Sequence, residues 1–152
     1  MDQTMEIVAK ATEQSELTTI CGFIHDQRFD LGSLSFIPTV ATVRLPFEKE
    51  DRSRVVSGPW YHLLYSRWTV PVTECMLEVR QALGYSVHDP AQIGFYTFNT
   101  ARYDAGKGEV RILANEDLEI IVNVQALDTS VATTGKVVGV HRILTVLGCE
   151  IS

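Results

Sequence analysis

The sequence lacks the features of membrane-spanning and nucleic-acid-binding proteins. Its 152 residues contain no apolar run near the roughly 20 residues that cross a bilayer, and Asp2 lies where a signal peptide carries Lys or Arg. Acidic residues number 19 against 13 basic ones, so the formal net charge is -6. Such a chain has no positive field with which to collect phosphates. The sequence therefore predicts a cytoplasmic protein whose partners include neither a membrane nor a nucleic acid.

Cysteine is scarce as well. The three cysteines, Cys21, Cys75 and Cys149, are odd in number, far apart and without a CxxC pair. This spacing indicates neither a disulfide framework nor a structural zinc site. Because each lies among apolar residues, we expect buried, inert thiols.

Catalytic and nucleotide-binding motifs are also missing. There is no GxSxG sequence, and Gly135-Lys136 fails as a phosphate loop because position 130 is not glycine and Val137 replaces the required Ser or Thr. Gly106-Lys107-Gly108 is typical of a hairpin reversal. The sequence predicts no cofactor and no catalytic residue.

The residues that are present indicate a single folded domain over 1–152. Hydrophobic residues make up 45% and charged residues 21%, and the length suffices for one core. Apolar residues at Leu17, Ile20, Cys21 and Ile24 recur at three and four positions, which predicts a short helix over residues 16–26.

The middle of the chain has strand periodicity. Residues 33–37 and 43–47 alternate as a hairpin does, and Pro46 predicts that the second strand lies at an edge or stops there. The mixed charges of residues 48–54 predict a solvated loop. Residues 74–83 fit a half-buried strand, with helix as the alternative. In the strand interpretation one face carries Thr73, Cys75, Leu77, Val79, Gln81 and Leu83.

The last third has the clearest strands. A hairpin over residues 93–113 reverses at 104–108, and a turn at 115–117 precedes a central strand. One face of that strand carries Leu118, Ile120, Val122, Val124 and Ala126. Another turn is predicted at 133–136, and 137–151 is left open between strand and helix. The fold class is thus mainly β, with α+β possible: an antiparallel sandwich or open barrel of about 7–9 strands with one short N-terminal helix.

Imidazole and carboxylate groups offer one candidate site. His25, Asp26, Asp30 and His88 are candidate metal ligands, although metal chemistry needs several such groups to converge. Hydrogen bonding to nearby backbone N–H groups in turns is the simpler interpretation of Asp26, Asp30 and Asp89.

Aromatic residues offer a second candidate. Four of them cluster in the segment Trp60, Tyr61, Tyr65 and Trp68, which we interpret as an interaction surface, with core packing as the alternative.

A polar strand offers a third candidate site. If residues 96–104 are regular, one face carries Tyr96, Arg102 and Asp104, and the other carries Asn99 and Tyr103. Such a stripe either lines a ligand pocket or forms a solvated outer face.

These observations favour a non-enzymatic binding or assembly module, either a homo-oligomer or the partner of another protein, with the aromatic segment or an edge strand as contact surface. The alternatives are a small metal-dependent hydrolase and a carrier of a small apolar ligand.

Overall fold

Most of the chain forms antiparallel strands. The computed structural model describes residues 5–51, 57–61, 65–146 and 149–151. Within these residues one α-helix, α1, covers Gln14–Ile24, and there are twelve strands. The strands are β1 (Glu6–Ala11), β2 (Arg28–Asp30), β3 (Ser35–Ile37), β4 (Thr42–Glu50), β5 (Ser57–Tyr61), β6 (Tyr65–Val79), β7 (Ala82–His88), β8 (Phe95–Asp104), β9 (Glu109–Ala114), β10 (Glu119–Val124), β11 (Thr129–Val146) and β12 (Cys149–Ile151).

This architecture confirms the predicted fold class. Nine of the described strands have five residues or more and the other three have three each. The helix begins and ends two residues before its predicted bounds. Both segments left open, 74–83 and the described part of 137–151, are strands. No helix among the described residues is long and apolar enough to cross a membrane.

The strands form one sheet that turns back on itself. Its order is β1-β11-β6-β4-β2-β8-β9-β10-β7, while β12, β3 and β5 pair with β11, β4 and β6. Two short corners join β6 to β7 and β10 to β11, and backbone bonds link them, since Arg80 N–H donates to Asp128 O at 2.8 Å. Ala82 N–H donates to Ala41 O at 2.8 Å and holds β7 beside β4. The sheet therefore curls around one core.

Aromatic rings fill the middle of that core. Phe98 stacks on Phe29 with ring centroids 4.3 Å apart and meets Phe47 edge-on at 5.4 Å. Three residues of α1, Leu17, Ile20 and Ile24, are fully buried in the same cluster. Burying a side chain of this size stabilises the fold by about 1.5–3 kcal/mol, so the apolar face of the helix holds it against the sheet.

The prediction that Pro46 marks an edge is wrong. β4 lies between β6 and β2, and Pro46 is directly opposite Met76. On its other side the β3 register ends at Arg44 and the β2 register begins at Phe47. The proline, which has no N–H to donate, lies between these two short partners.

Residues 48–50 are strand rather than the predicted loop. The pairing of β4 with β6 continues to Glu50, opposite Val72. Lys49 supports this extension, because its Nζ donates to Phe23 O at the end of α1 at 2.9 Å and lies 4.5 Å from the Phe23 ring. Residues 52–54 of the predicted loop lie outside the described part of the chain.

The predicted turn at 133–136 is a bulge inside β11. The register steps from Thr133 opposite Cys75 to Val137 opposite Thr73, so two extra residues leave the ladder. Gly135 has a φ of 71°, and its N–H donates to Thr133 Oγ1 at 3.1 Å. Turn chemistry is therefore present, but the strand continues beyond it.

The predicted faces of residues 96–104 and of residues 73–83 are wrong because each strand pattern is interrupted. A register shift between Phe98 and Thr100 puts Tyr96, which is 2% exposed, on the core side, while Arg102 and Asp104 are exposed. Asn99 is likewise exposed and Tyr103 packs against the core. In the second case the corner at Gln81, with a φ of 54°, leaves Leu83 63% exposed.

Candidate functional site

A cleft of about 500 Å³ crosses the outer face of the sheet. Phe29, Phe47 and Cys75 point into the core from β2, β4 and β6, so their neighbours in the chain point outward. The volume lies within the range typical of small-molecule sites. The lining residues are Arg28, Phe29, Asp30, Ser33, Pro46, Phe47, Glu48, Glu74, Phe95, Lys136 and Val138.

Four of the charged lining residues form a row. Arg28 is directly opposite Glu48, and Glu48 is directly opposite Glu74. Directly opposite residues of an antiparallel pair have their side chains on the same face. Lys136 follows on the β11 bulge, which contacts Glu74 because the Thr133 hydroxyl donates to Glu74 O at 3.3 Å. The charges across β2, β4, β6 and β11 therefore run positive, negative, negative, positive.

None of these four side chains makes a hydrogen bond or ion pair within the described part of the protein. Other charged residues on the same strands do have partners. Arg44 and Glu78, which are also opposite each other on β4 and β6, lie 3.4 Å apart. The cleft thus holds charged groups for which residues 5–51, 57–61, 65–146 and 149–151 supply no partner.

The bulge accounts for the shape of the cleft at one end. It brings Lys136 and Val138 of β11 to the cleft beside Glu74. The hydroxyl of Thr134 accepts a hydrogen bond from Lys136 N–H at 3.1 Å, which fixes the backbone there. Re-aiming a side chain in this way is a common role of bulges next to functional sites.

The four candidate metal ligands do not come together. His25 Nδ1 is 2.9 Å from Asn99 O and its Nε2 is 3.4 Å from Asp26 Oδ2. Asp30 lines the cleft, and His88 ends β7 opposite Glu119. Among residues 5–51, 57–61, 65–146 and 149–151, no group of three or more His, Cys, Asp or Glu side chains could hold a metal ion.

The turn interpretation of Asp30 and Asp89 is confirmed. Asp30 Oδ1 accepts from Gly32 N–H at 2.9 Å. Asp89 Oδ1 accepts from Gln92 N–H at 3.0 Å and from the Tyr96 hydroxyl, so it ties the loop before β8 to a core side chain. Burial of the ring, followed by this hydrogen bond, raises the pKa of the Tyr96 hydroxyl.

The predicted aromatic surface lies on strands outside the main core cluster, although Val70 and Ile143 on the same strands are buried. Trp60 and Tyr61 are paired with Arg67 and Ser66 of β6, and Tyr65 and Trp68 lie opposite Val146 and Ile143 of β11. Among the described residues, no residue of β6 before Cys75 and no residue of β11 after Val131 belongs to the core cluster. We call β5, β6 up to Thr73, β11 from Val137 and β12 the strand arm. The side chains of the four aromatics lie outside what is described, so their role stays a prediction.

The two described thiols, Cys21 and Cys75, do not line the cleft. Cys75 is buried, and burial raises the pKa of its thiol. Cys21 is half-buried, and its Sγ donates to Ala101 O at 3.2 Å. The side chain of Cys149 lies outside the described residues. The expectation of a buried thiol is confirmed for Cys75, while Cys21 is only half-buried.

Sequence reasoning missed Arg28, Glu48, Glu74 and Lys136 as site residues. The available signal was outward parity, since Glu48 follows a buried Phe and Glu74 precedes a buried Cys. These outward-facing residues form a site only because the strand register places β2, β4 and β6 side by side.

Comparison with known proteins identifies no similar protein. No family model, no curated protein and no solved structure matches the chain. The grounds for a function are therefore the residues of the cleft.

Proposed function

We propose that the protein is a non-enzymatic binding module that holds a small charged ligand in the cleft. The observation that carries this proposal is the row of four charged side chains that have no partner among the described residues and lie in a cavity of ligand size. Each charge-assisted hydrogen bond from a ligand to such a group contributes about 1.5–3 kcal/mol. A ligand with complementary charges therefore gains several favourable contacts at once.

The lining favours a polar ligand over the apolar one that the sequence left open. Five charged residues line the cleft, and covering charged groups with an apolar molecule removes their hydration without replacement. Five apolar residues also line the cleft, and three of them, Pro46, Phe95 and Val138, suit a short hydrocarbon segment of the ligand.

Blocking the cleft tests the proposal. Val138 is 40% exposed and lines the cleft, so Val138→Trp fills the cleft without disturbing the core. Val87, which is 37% exposed on β7 and does not line it, provides the matched control Val87→Trp. We expect saturation-transfer NMR with a mixture of amino acids, amines, carboxylic acids and sugars to show a bound compound with wild type and Val87→Trp only.

Either of two results contradicts the proposal: no compound that binds the wild type, or equal binding to Val138→Trp. Native mass spectrometry of freshly purified protein provides an independent readout. There we expect a retained small molecule in addition to the 17.0 kDa chain, reduced in Val138→Trp.

A second candidate function is self-assembly through the strand arm. Val137 and Val140 of β11 are 44% and 61% exposed there, beyond the reach of the core. A second copy presents the same surface, so two arms pack face to face in an isologous dimer. Val138 of the arm also lines the cleft, but Val137 and Val140 do not.

A further inference from the structure

The row of charges also defines a ligand class. We infer that the cleft binds a small zwitterion, with its ammonium group between Glu48 and Glu74 and its carboxylate on Arg28. The inference rests on the proposed function and specifies the ligand that this function requires.

The ammonium position follows from the two glutamates. Like charges directly opposite each other on neighbouring strands repel, and Glu48 and Glu74 have no hydrogen-bonding or ion-pairing partner among the described residues. An ammonium group has three N–H donors and can be shared by two carboxylates. A metal ion fits less well, because the described part of the chain gives these two residues no third ligand of the kind that a metal needs.

The carboxylate position follows from Arg28. It is next in the row, directly opposite Glu48, and it too has no hydrogen-bonding or ion-pairing partner in the described part of the chain. The planar guanidinium group donates two parallel hydrogen bonds to a carboxylate, which the single ammonium of Lys136 cannot do. The end of the cleft with Arg28 is therefore the better anion site.

Strand spacing gives the length of the ligand. Neighbouring strands lie about 4.8 Å apart, so a point midway between β4 and β6 is about 7 Å from β2. A zwitterion whose charges are separated by five methylene groups spans about this distance. Its methylene chain crosses β4 at Glu48, and Pro46, two residues away on the same outward face, is the neighbouring apolar surface.

Arg28 also makes the site selective. When one ammonium group lies between the two glutamates, the second positive charge of a diamine of similar length lies against Arg28 and is repelled. The site therefore discriminates against diamines of similar length by an unfavourable contact as well as by the lost carboxylate.

Calorimetry with three matched probes tests the inference: 6-aminohexanoate, hexylamine without the carboxylate, and hexanoate without the ammonium. We expect 6-aminohexanoate to bind at least roughly tenfold more tightly than either of the others, because each lost charge-assisted contact is worth about one factor of ten. Arg28→Gln should reduce its affinity to that of hexylamine and leave hexylamine unchanged. Glu74→Gln should weaken both amines, and Arg102→Gln, an exposed arginine of β8 outside the cleft, should change nothing.

Each other outcome overturns the inference in a defined way. Hexylamine binding as tightly as 6-aminohexanoate removes the carboxylate site, and hexanoate binding as tightly removes the ammonium site. If none of the probes binds while Val138→Trp still abolishes binding of another compound, the ligand class is wrong and the proposed function stands. If no compound enters the cleft at all, both fail.

Discussion

Glu74 and Glu78 lie four residues apart on the same face of β6, but their neighbours differ. Glu74 is opposite Glu48, whereas Glu78 is opposite Arg44 at 3.4 Å and lies 3.8 Å from Arg80. Cross-strand pairs of this kind contribute about 0.2–1 kcal/mol, favourable for opposite charges and unfavourable for like charges. Removing each charge therefore has an opposite effect on the free energy of unfolding.

We predict that Glu74→Gln raises the free energy of unfolding of the ligand-free protein by about 0.2–1 kcal/mol and that Glu78→Gln lowers it by a similar amount. Urea titration at neutral pH and low salt measures both, and high salt should shrink both effects. A destabilised Glu74→Gln variant would show that Glu74 has a structural partner, which contradicts its role as a group reserved for a ligand.

Single residues were predictable from sequence where their partners are close in the chain. Asp30 and Asp89 bond backbone groups two and three residues away, and short polar side chains do this in any turn. The cleft was not predictable, because Glu48 and Glu74 are 26 positions apart and meet only through the register of β4 and β6.

At the scale of elements, the bulge of β11 is the feature that shapes the cleft. Gly135 has a φ of 71°, a conformation that costs an L-residue about 1–2 kcal/mol, although a Cβ there would meet no atom within 4 Å. Gly139, on the same strand, has no such φ and equally open space. The two glycines differ in backbone conformation alone.

We therefore predict that Gly135→Ala lowers the free energy of unfolding by about 1 kcal/mol. Gly139→Ala should leave it unchanged or raise it by about 0.4–1 kcal/mol, since the unfolded chain becomes less flexible. Chemical denaturation of the two variants gives the comparison. Equal effects would mean that the bulge is not held in the observed conformation.

Helices and strands were predictable where the apolar periodicity is unbroken. The buried face of a strand was predicted wrongly where that periodicity is interrupted. The helix was located from Leu17, Ile20 and Ile24 because they pack on one core. The corner at Gln81 and the register shift after Phe98 each reset the alternation of a strand. A period-2 pattern gives no warning of such a shift, so Leu83 and Tyr96 were assigned to the wrong faces.

At the scale of the whole molecule, self-assembly is the property still to be measured. Val140 on the strand arm is 61% exposed, and Val40, in the turn before β4, is 58% exposed. These two valines allow a comparison at equal exposure. Lysine at Val140 places a charge in the proposed interface, whereas lysine at Val40 does not.

We predict that light scattering during size-exclusion chromatography gives a mass above 17.0 kDa for wild type and Val40→Lys, and the monomer mass for Val140→Lys. Binding of 6-aminohexanoate should be unaffected by either change. A wild-type protein that stays monomeric at high micromolar concentration would exclude assembly through the arm, and unchanged assembly of Val140→Lys would place the interface elsewhere.

The pairing of β1 with β11 has a consequence for synthesis on the ribosome. Lys10 is opposite Ser130, 120 positions later. At about 5–20 residues per second, the first strand therefore waits roughly 6–25 seconds for its partner to be made. During that interval the sheet does not yet cover Ala11 or the apolar face of α1, both of which are buried in the folded protein. The nascent chain therefore exposes this apolar surface until β11 has been translated, and transiently exposed surface of this kind is what chaperones bind.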